Sequence, residues 1–237
     1  MIPNQREIEI FKQPHLLNSC WLSRHYIDWS FLKSYGTSKF YKKGEIIDKD
    51  FEPSDAIYYI AKGRVRSSVF NEEGEEKIIM VVDEGNILNT ISVIDSLPNY
   101  FIITTVTDCL IYKIKKEIFL DLMKTNPEIN MKVILDITRK ARVLISHIED
   151  MTFMSATARI AKCLYRLCFE YGIPHKNGIK LNIKFTHQEM AIYVGTCRVT
   201  ASNILENMEK MGIISKENGY VIVRDINKLQ QIINHLK

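Results

Sequence analysis

Three textures of apolar and polar positions follow one another along the 237 residues. From Lys39 to Lys115, short β-branched and aromatic runs are interrupted at Gly44, Pro53, Gly63, Gly74 and Gly85. Such breaks predict an all-β sandwich or barrel. Asp55 to Phe70 reads as two strands about Gly63, and Asn71 to Val82 as an acidic turn and a third strand. From Glu117 the period becomes helical. A helix from Glu117 to Lys124 stops near Pro127, and a long helix follows to about Phe153. In that long helix Ile134, Ile137, Ala141, Leu144, Ile148 and Met151 alternate at spacings of three and four, with Lys132, Asp136, Arg139 and Lys140 mainly off the stripe. Val133 and Ile145 broaden the apolar surface, but a stripe this narrow predicts a parallel homodimer seam more than burial within one fold. Ser155 is placed to cap a further helix, Ala156 to Tyr171, which makes Met154–Ser155 the natural hinge. Before Lys39, Trp21, Tyr26, Trp29 and Phe31 predict helices packed on a neighbouring core.

The third texture runs from Phe185 to Ile214 and has the mechanics of a helix-turn-helix. Thr186 followed three residues later by Glu189 is a capping box, so a short helix begins at His187. Gly195 permits a sharp turn, and Thr196 is available to cap a second helix from about Cys197 to Met211. At 100° per residue Ala201, Ile204 and Met208 gather on one face with Leu205 at its edge, and Arg198, Val199, Ser202 and Asn203 gather on the other. Arg can fork onto guanine, Asn can pair with adenine, and an apolar methyl can rest against thymine. The outward residues are therefore fitted to base edges, with Thr200, Thr186, His187 and Lys216 completing the expected DNA face. Asn218-Gly219, between two β-rich runs, predicts a hairpin, and the alternation of Ile179 to Phe185 predicts a strand. Strand, two helices and hairpin together make a winged helix.

Charge strengthens that reading. Residues 151–237 hold 12 Lys+Arg and 6 Asp+Glu; taken from totals of 32 and 28, this leaves 20 and 22 for residues 1–150. The basic surplus sits wholly in the C-terminal part, as phosphate binding requires. Five cysteines without CxxC spacing argue against a disulfide framework or a zinc knuckle, and no His/Asp/Glu/Cys constellation has enzymatic spacing. Cys163 and Cys168 are expected in helix packing, and Cys197 lies next to the reading face. With no run of about 18 apolar residues and no apolar leader in MIPNQREIEIFK, a cytoplasmic protein without membrane contact is expected.

The order of these parts, the glycine pattern KKGEII, AKGRV, NEEGEE and DEGNIL, the junction TARIA and the run HQEMAIYVGTCRVTASNIL resemble the cyclic-AMP receptor protein and fumarate-nitrate reduction regulator superfamily of bacterial transcription factors. The resemblance implies an α+β chain with an N-terminal β-roll of the cyclic-nucleotide-binding type, a long dimerisation helix and a C-terminal winged helix-turn-helix. The segments are then 1–38, 39–116 (roll), 117–154 (short and long helices) and 155–237 (DNA-binding). It implies a homodimer on double-stranded DNA at an inverted repeat, with RNA polymerase as a further partner. Cyclic-AMP members use a Gly-Glu pair and an Arg-Ser pair for the phosphate; here the stretch corresponding to the first is Gly85-Asn86-Ile87-Leu88-Asn89-Thr90, and Pro98 to Thr105 holds no Arg or Lys. Leu144 and Ile145 replace the hydroxyls that meet adenine, so cyclic AMP is not expected to bind. Only Cys20 lies near the N-terminus and no His falls between Tyr26 and Ser146, which leaves neither cluster nor haem ligands. No cofactor is identified; an unknown small-molecule effector is placed among Ile87, Leu88, Asn89, Thr90, Tyr100, Ile102, Leu144 and Ile145, where the alternative is that these side chains simply fill the roll. On the DNA face Arg198 matches the guanine-reading Arg, while Val199 replaces a Glu and Asn203 a second Arg; the halorespiration regulators likewise carry Val before the Thr. The rival reading is a ligand-binding module without sequence-specific DNA contact.

Overall fold

The structure is a computed structural model that describes residues 21–22, 27–48 and 52–235. These form two compact units, which divide between Leu144 and Ile145. The expectation of helices before Lys39 falls largely outside the described residues. What is described there is a two-residue strand β1 (Trp21–Leu22) and a 3₁₀ helix (Ser30–Tyr35). Trp29 and Leu32 are fully buried in the core of the first unit, with Ile57, Ile87, Ile114, Phe119 and Val133.

The first unit is a roll of two sheets. Its strands are β2 (Thr37–Tyr41), β3 (Ile46–Asp48), β4 (Ala56–Lys62), β5 (Arg64–Phe70), β6 (Glu76–Asp83), β7 (Ile87–Leu88), β8 (Ile102–Thr105) and β9 (Cys109–Lys115). One sheet has the order β1-β6-β5-β8-β3 and the other β2-β9-β4-β7. The expected pair of strands about Gly63 is present, but β4 and β5 belong to different sheets, so Gly63 is a corner rather than a hairpin turn. It sits at φ +98°, and an added Cβ would lie 2.4 Å from the Asp108 carbonyl oxygen. A short helix α1 (Thr90–Asp95) follows Asn89, whose φ is +64°. The Asn89 amide bonds Asp48 and Ser54 and accepts from Asn99, which supports this left-handed position.

Helix α2 (Lys116–Thr125) leads to the long helix α3 (Pro127–Phe153). Pro127 takes the first helical position, where its missing N–H costs nothing, and Asn126 caps the helix by accepting from Glu128 N. On α3 the buried face carries Ile129, Val133, Asp136, Lys140, Val143 and Ser146. Ile137 and Leu144, two residues of the expected seam, are half-buried in the chain's own fold. The stripe left exposed is Met131, Ile134, Thr138, Ala141, Ile145, Ile148 and Thr152, again spaced three and four. Met151 is exposed beside it.

The second unit continues through α4 (Ala156–Tyr171), β10 (Gly172–His175), β11 (Gly178–Leu181), α5 (His187–Val194), α6 (Arg198–Lys210), β12 (Ile214–Glu217), β13 (Tyr220–Val223) and α7 (Ile226–His235). Ser155 caps α4 as expected, accepting from Ala158 N. The four strands form one sheet, β10-β11-β13-β12. The strand expected over Ile179 to Phe185 ends at Leu181, and its partner β10 was not foreseen. Pro174 lies on that edge strand, where a missing N–H is tolerated. Also unforeseen, α7 packs Leu229 and Ile233 inward beside α4. Cys163 and Cys168 are buried in α4, and burial pushes the Cys168 thiol up to about 12.

Candidate nucleic-acid interface

The first helix of the pair starts where the sequence places it. Thr186 Oγ1 accepts from Glu189 N at 3.1 Å, and Glu189 Oε2 accepts from Thr186 N at 2.7 Å, which closes the capping box. Gly195 then turns the chain at φ 69°, ψ 57°. The second helix is capped one residue later than expected. Cys197, not Thr196, holds the extended N-cap conformation, and its Sγ accepts from Thr200 N at 3.5 Å. The Thr200 hydroxyl also meets this sulfur at 3.1 Å. These bonds favour the thiolate and lower the Cys197 pKa, the Thr200 side-chain bond first.

On α6 the inner face consists of Ala201, Leu205 and Met208. Leu205 is central to that face and Ile204 only half-buried, the reverse of the expectation. Outward stand Arg198, Val199 and Asn203, all exposed, with Val199 at 68%. Thr200 is half-buried and engaged by Cys197. Ser202 is half-buried and bonded to His187, Oγ to Nδ1 at 2.8 Å. His187 Nε2 faces Lys216 Nζ at 3.1 Å, and Lys216 also approaches Glu209 Oε2 at 3.7 Å. His187 is held below its ordinary pKa by burial first and by Lys216 next, with Arg198 adding to this and Glu206 and Glu209 opposing it. Of the eight residues expected on the DNA face, three are free outward groups. The other five, Thr186, Thr200, His187, Ser202 and Lys216, are bonded within the head. The Thr186 oxygen is occupied by its capping bond, so its hydroxyl hydrogen is the part left to face outward.

Two groups of this unit were not singled out from the sequence. Arg159, inside the TARIA run, donates to three carbonyl oxygens: Met154 at 2.6 Å, Val194 at 2.7 Å and Gly195 at 3.0 Å. It ties the end of the long helix to the turn between the reading helices. Lys162 Nζ meets Asp150 Oδ1 at 2.5 Å across the same corner. The expected hinge at Met154–Ser155 is thus a buttressed corner. At the wing, Lys180 and Lys184 stand 4.0 and 4.7 Å from the Tyr220 ring centre, a cation–π arrangement that holds two positive charges beside the hairpin.

In the roll, the eight residues expected to line an effector site differ widely in burial. Ile87 and Leu88 are buried, Ile87 within the core cluster, whereas Tyr100 is 68% and Ile145 65% exposed. Ile102 and Leu144 are half-buried. Asn89 is taken up by its loop, and Thr90 donates to Asp136 at 3.0 Å. Lys140 is buried at the same place, with Nζ at 2.6 Å from Asp136, 2.9 Å from Ile87 O and 3.2 Å from Thr90 Oγ1. The roll therefore does hold a cation beside Thr90, supplied by α3 rather than by the segment from Pro98 to Thr105. Its three donors are already satisfied and its charge is matched. Among the described residues there is no group of His, Cys, Asp or Glu suited to a metal, and no helix is long and apolar enough to cross a membrane.

Comparison with known proteins agrees with both units. Residues 38–126 match the model of the cyclic nucleotide-binding domain, and residues 158–232 that of the Crp-like helix-turn-helix domain. The cAMP-activated global transcriptional regulator CRP of Escherichia coli is 27% identical over 199 residues, 83% of this chain and 93% of that protein. Among solved structures, a mutant of CooA from Carboxydothermus hydrogenoformans superposes with a TM-score of 0.75 at 20% identity, covering 89% of this chain and 97% of that one. FixK2 from Bradyrhizobium japonicum gives 0.73 at 17% identity, covering 83% and 96%. With a roll, a long helix and a winged head in the same order, the chain belongs to the Crp/Fnr family of DNA-binding transcription regulators, and is not an enzyme.

Proposed function

We propose that the chain acts as a homodimer on an inverted-repeat DNA site, reading each half-site with Arg198, Val199 and Asn203. The observation that carries this is the exposed outer face of α6, where these three side chains stand free above a buried inner face. Val199 offers a methyl contact where the family's Glu would accept from cytosine, and Asn203 suits adenine, so the site is richer in A·T pairs than those of the cyclic-AMP members. The partner copy is seated on the exposed stripe of α3, where Met131, Ile134, Ile145 and Ile148 are 57%, 55%, 65% and 65% exposed. Ile134, Ala141, Ile148 and Met151 of the original seam remain at or beside this stripe; Ile137 and Leu144 form its inner margin. Two such heads would place half-site centres about 34 Å apart. RNA polymerase is the further partner through which a bound regulator acts.

The signal sensed by the roll is proposed to be other than cyclic AMP. No Arg or Lys lies between Pro98 and Thr105, and the nearby Lys140 is already neutralised by Asp136, so a buried phosphate would have to break an ion pair to gain a counter-charge. Selection of bound duplexes from random-sequence DNA should return an inverted repeat, while calorimetry with cyclic AMP at micromolar concentration should show no saturable heat. Failure to enrich any site would refute the DNA reading; saturable binding of cyclic AMP would refute the second part alone.

A further inference from the structure

The hydrogen bonds around His187 have a direction, and it deepens the DNA reading on which it rests. Lys216 Nζ is 3.1 Å from His187 Nε2, and Ser202 Oγ is 2.8 Å from His187 Nδ1. An ammonium has hydrogens and no lone pair, so Lys216 donates and His187 Nε2 accepts. A neutral imidazole with its lone pair at Nε2 carries its hydrogen on Nδ1. That hydrogen goes to the Ser202 oxygen. With its oxygen accepting from the ring, Ser202 has its own hydroxyl hydrogen left to give. Around the helix axis Ser202 projects between Arg198 and Val199, on the side that carries the reading residues. Among the described residues it has no second hydrogen-bond partner.

We propose that Lys216, His187 and Ser202 form a one-way donor relay that fixes Ser202 as a hydrogen-bond donor to an acceptor on a base edge. In the major groove such acceptors are purine N7, guanine O6 and thymine O4. Ser202 is then a specificity-determining residue, and His187 and Lys216 are positioning residues that need not touch the base. The relay draws one residue each from the wing strand β12, the first helix α5 and the reading helix α6. Glu209 Oε2 lies 3.7 Å from the same ammonium. Burial and the nearby charges of Lys216 and Arg198 keep the imidazole neutral against the opposing pull of Glu206 and Glu209, which preserves the lone pair that the relay needs.

The test uses the full-length chain and selection from random-sequence duplex DNA at one pH and salt concentration. Ser202→Ala and His187→Ala should relax the preference at the same base pair by about three- to tenfold, the value of one hydrogen bond. The double variant should relax it no further. His187→Asn places an amide donor near the Nδ1 position and should restore the preference; Lys216→Met leaves the tautomer unfixed and should relax it in part. The base preference contributed by Arg198 should persist in every variant, which shows that the head remains folded. The relay is overturned if His187→Ala leaves the preference intact or alters a different position, or if His187→Asn fails to restore it. It is equally overturned if Ser202→Ala weakens all sequences alike, which would mark a phosphate contact. No enriched site for the unmutated chain would instead overturn the DNA reading beneath it.

Discussion

In the head, Arg198, Val199 and Asn203 stand exposed on the reading helix, whereas in the roll Thr90, Asp136 and Lys140 are buried and bonded to one another. The head can meet a ligand without rearranging, because its outer groups are free and its inner ones are spent on holding geometry. The roll cannot offer its charge until the Lys140–Asp136 pair is parted. One unit presents open polar and apolar groups and the other a closed, self-bonded cluster, and substitutions should separate the two.

The largest effect belongs to the roll. Asp136→Ala leaves the Lys140 ammonium buried without its carboxylate and should cost about 3–5 kcal/mol of stability. Both tryptophans, Trp21 and Trp29, precede the long helix, and Trp29 is buried in the roll core, so denaturant titration followed by tryptophan fluorescence measures that unit. The double variant Asp136→Leu with Lys140→Met should recover most of the loss. If Asp136→Ala melts like the unmutated chain, the pair is not closed as described. Next comes the head. Arg198→Ala should weaken binding to the selected duplex by about 1–3 kcal/mol and relax one base pair, while leaving the tryptophan melting curve in place. Unchanged selected sites would remove Arg198 from the reading face.

The smallest effect lies at the corner of the head. Burial lifts the Asp150 carboxyl above its ordinary value, with Lys162 pulling in the opposite direction. An acid whose folded pKa is raised holds its proton in the folded state after the unfolded chain has released it. Stability should therefore fall as pH climbs from about 4, the unfolded value, through the raised one, and be flat in this respect above it. Asp150→Asn should remove that part of the slope, read by hydrogen exchange of the α4 amides across this range. A slope that survives the substitution belongs to another group.

The same contrast explains what could be read in the sequence. The capping box at Thr186, the turn at Gly195 and the outward Arg198, Val199 and Asn203 are local signals, and local signals survive in a linear pattern. The cap shifted from Thr196 to Cys197 because the position is decided by which side chain reaches Thr200 N, and a thiol is a weak signal for that role. On the long helix, heptad spacing located an apolar stripe but not its exposed edge. Asp136 and Lys140 read as surface charges, yet at i,i+4 they neutralise each other and can be buried together, which turns the open face toward Met131, Thr138 and Ile145. The expected effector residues differ in burial for a similar reason. Apolar side chains near each other in sequence, such as Ile87 and Tyr100, are sorted by the fold into core and surface.

Arg159 donates to the carbonyls of Met154, Val194 and Gly195 at once. Mechanically, three bonds from one planar group remove relative translation and rotation between the helix end and the turn before the reading helix. A movement that keeps these bonds would carry the helix end and the turn together. A torque applied along α3 beyond Met154 would swing Arg198, Val199 and Asn203 as one rigid set, altering where they land on DNA without altering how they are arranged. A signal acting in this way would change aim and leave the base preferences of the head the same whenever it binds.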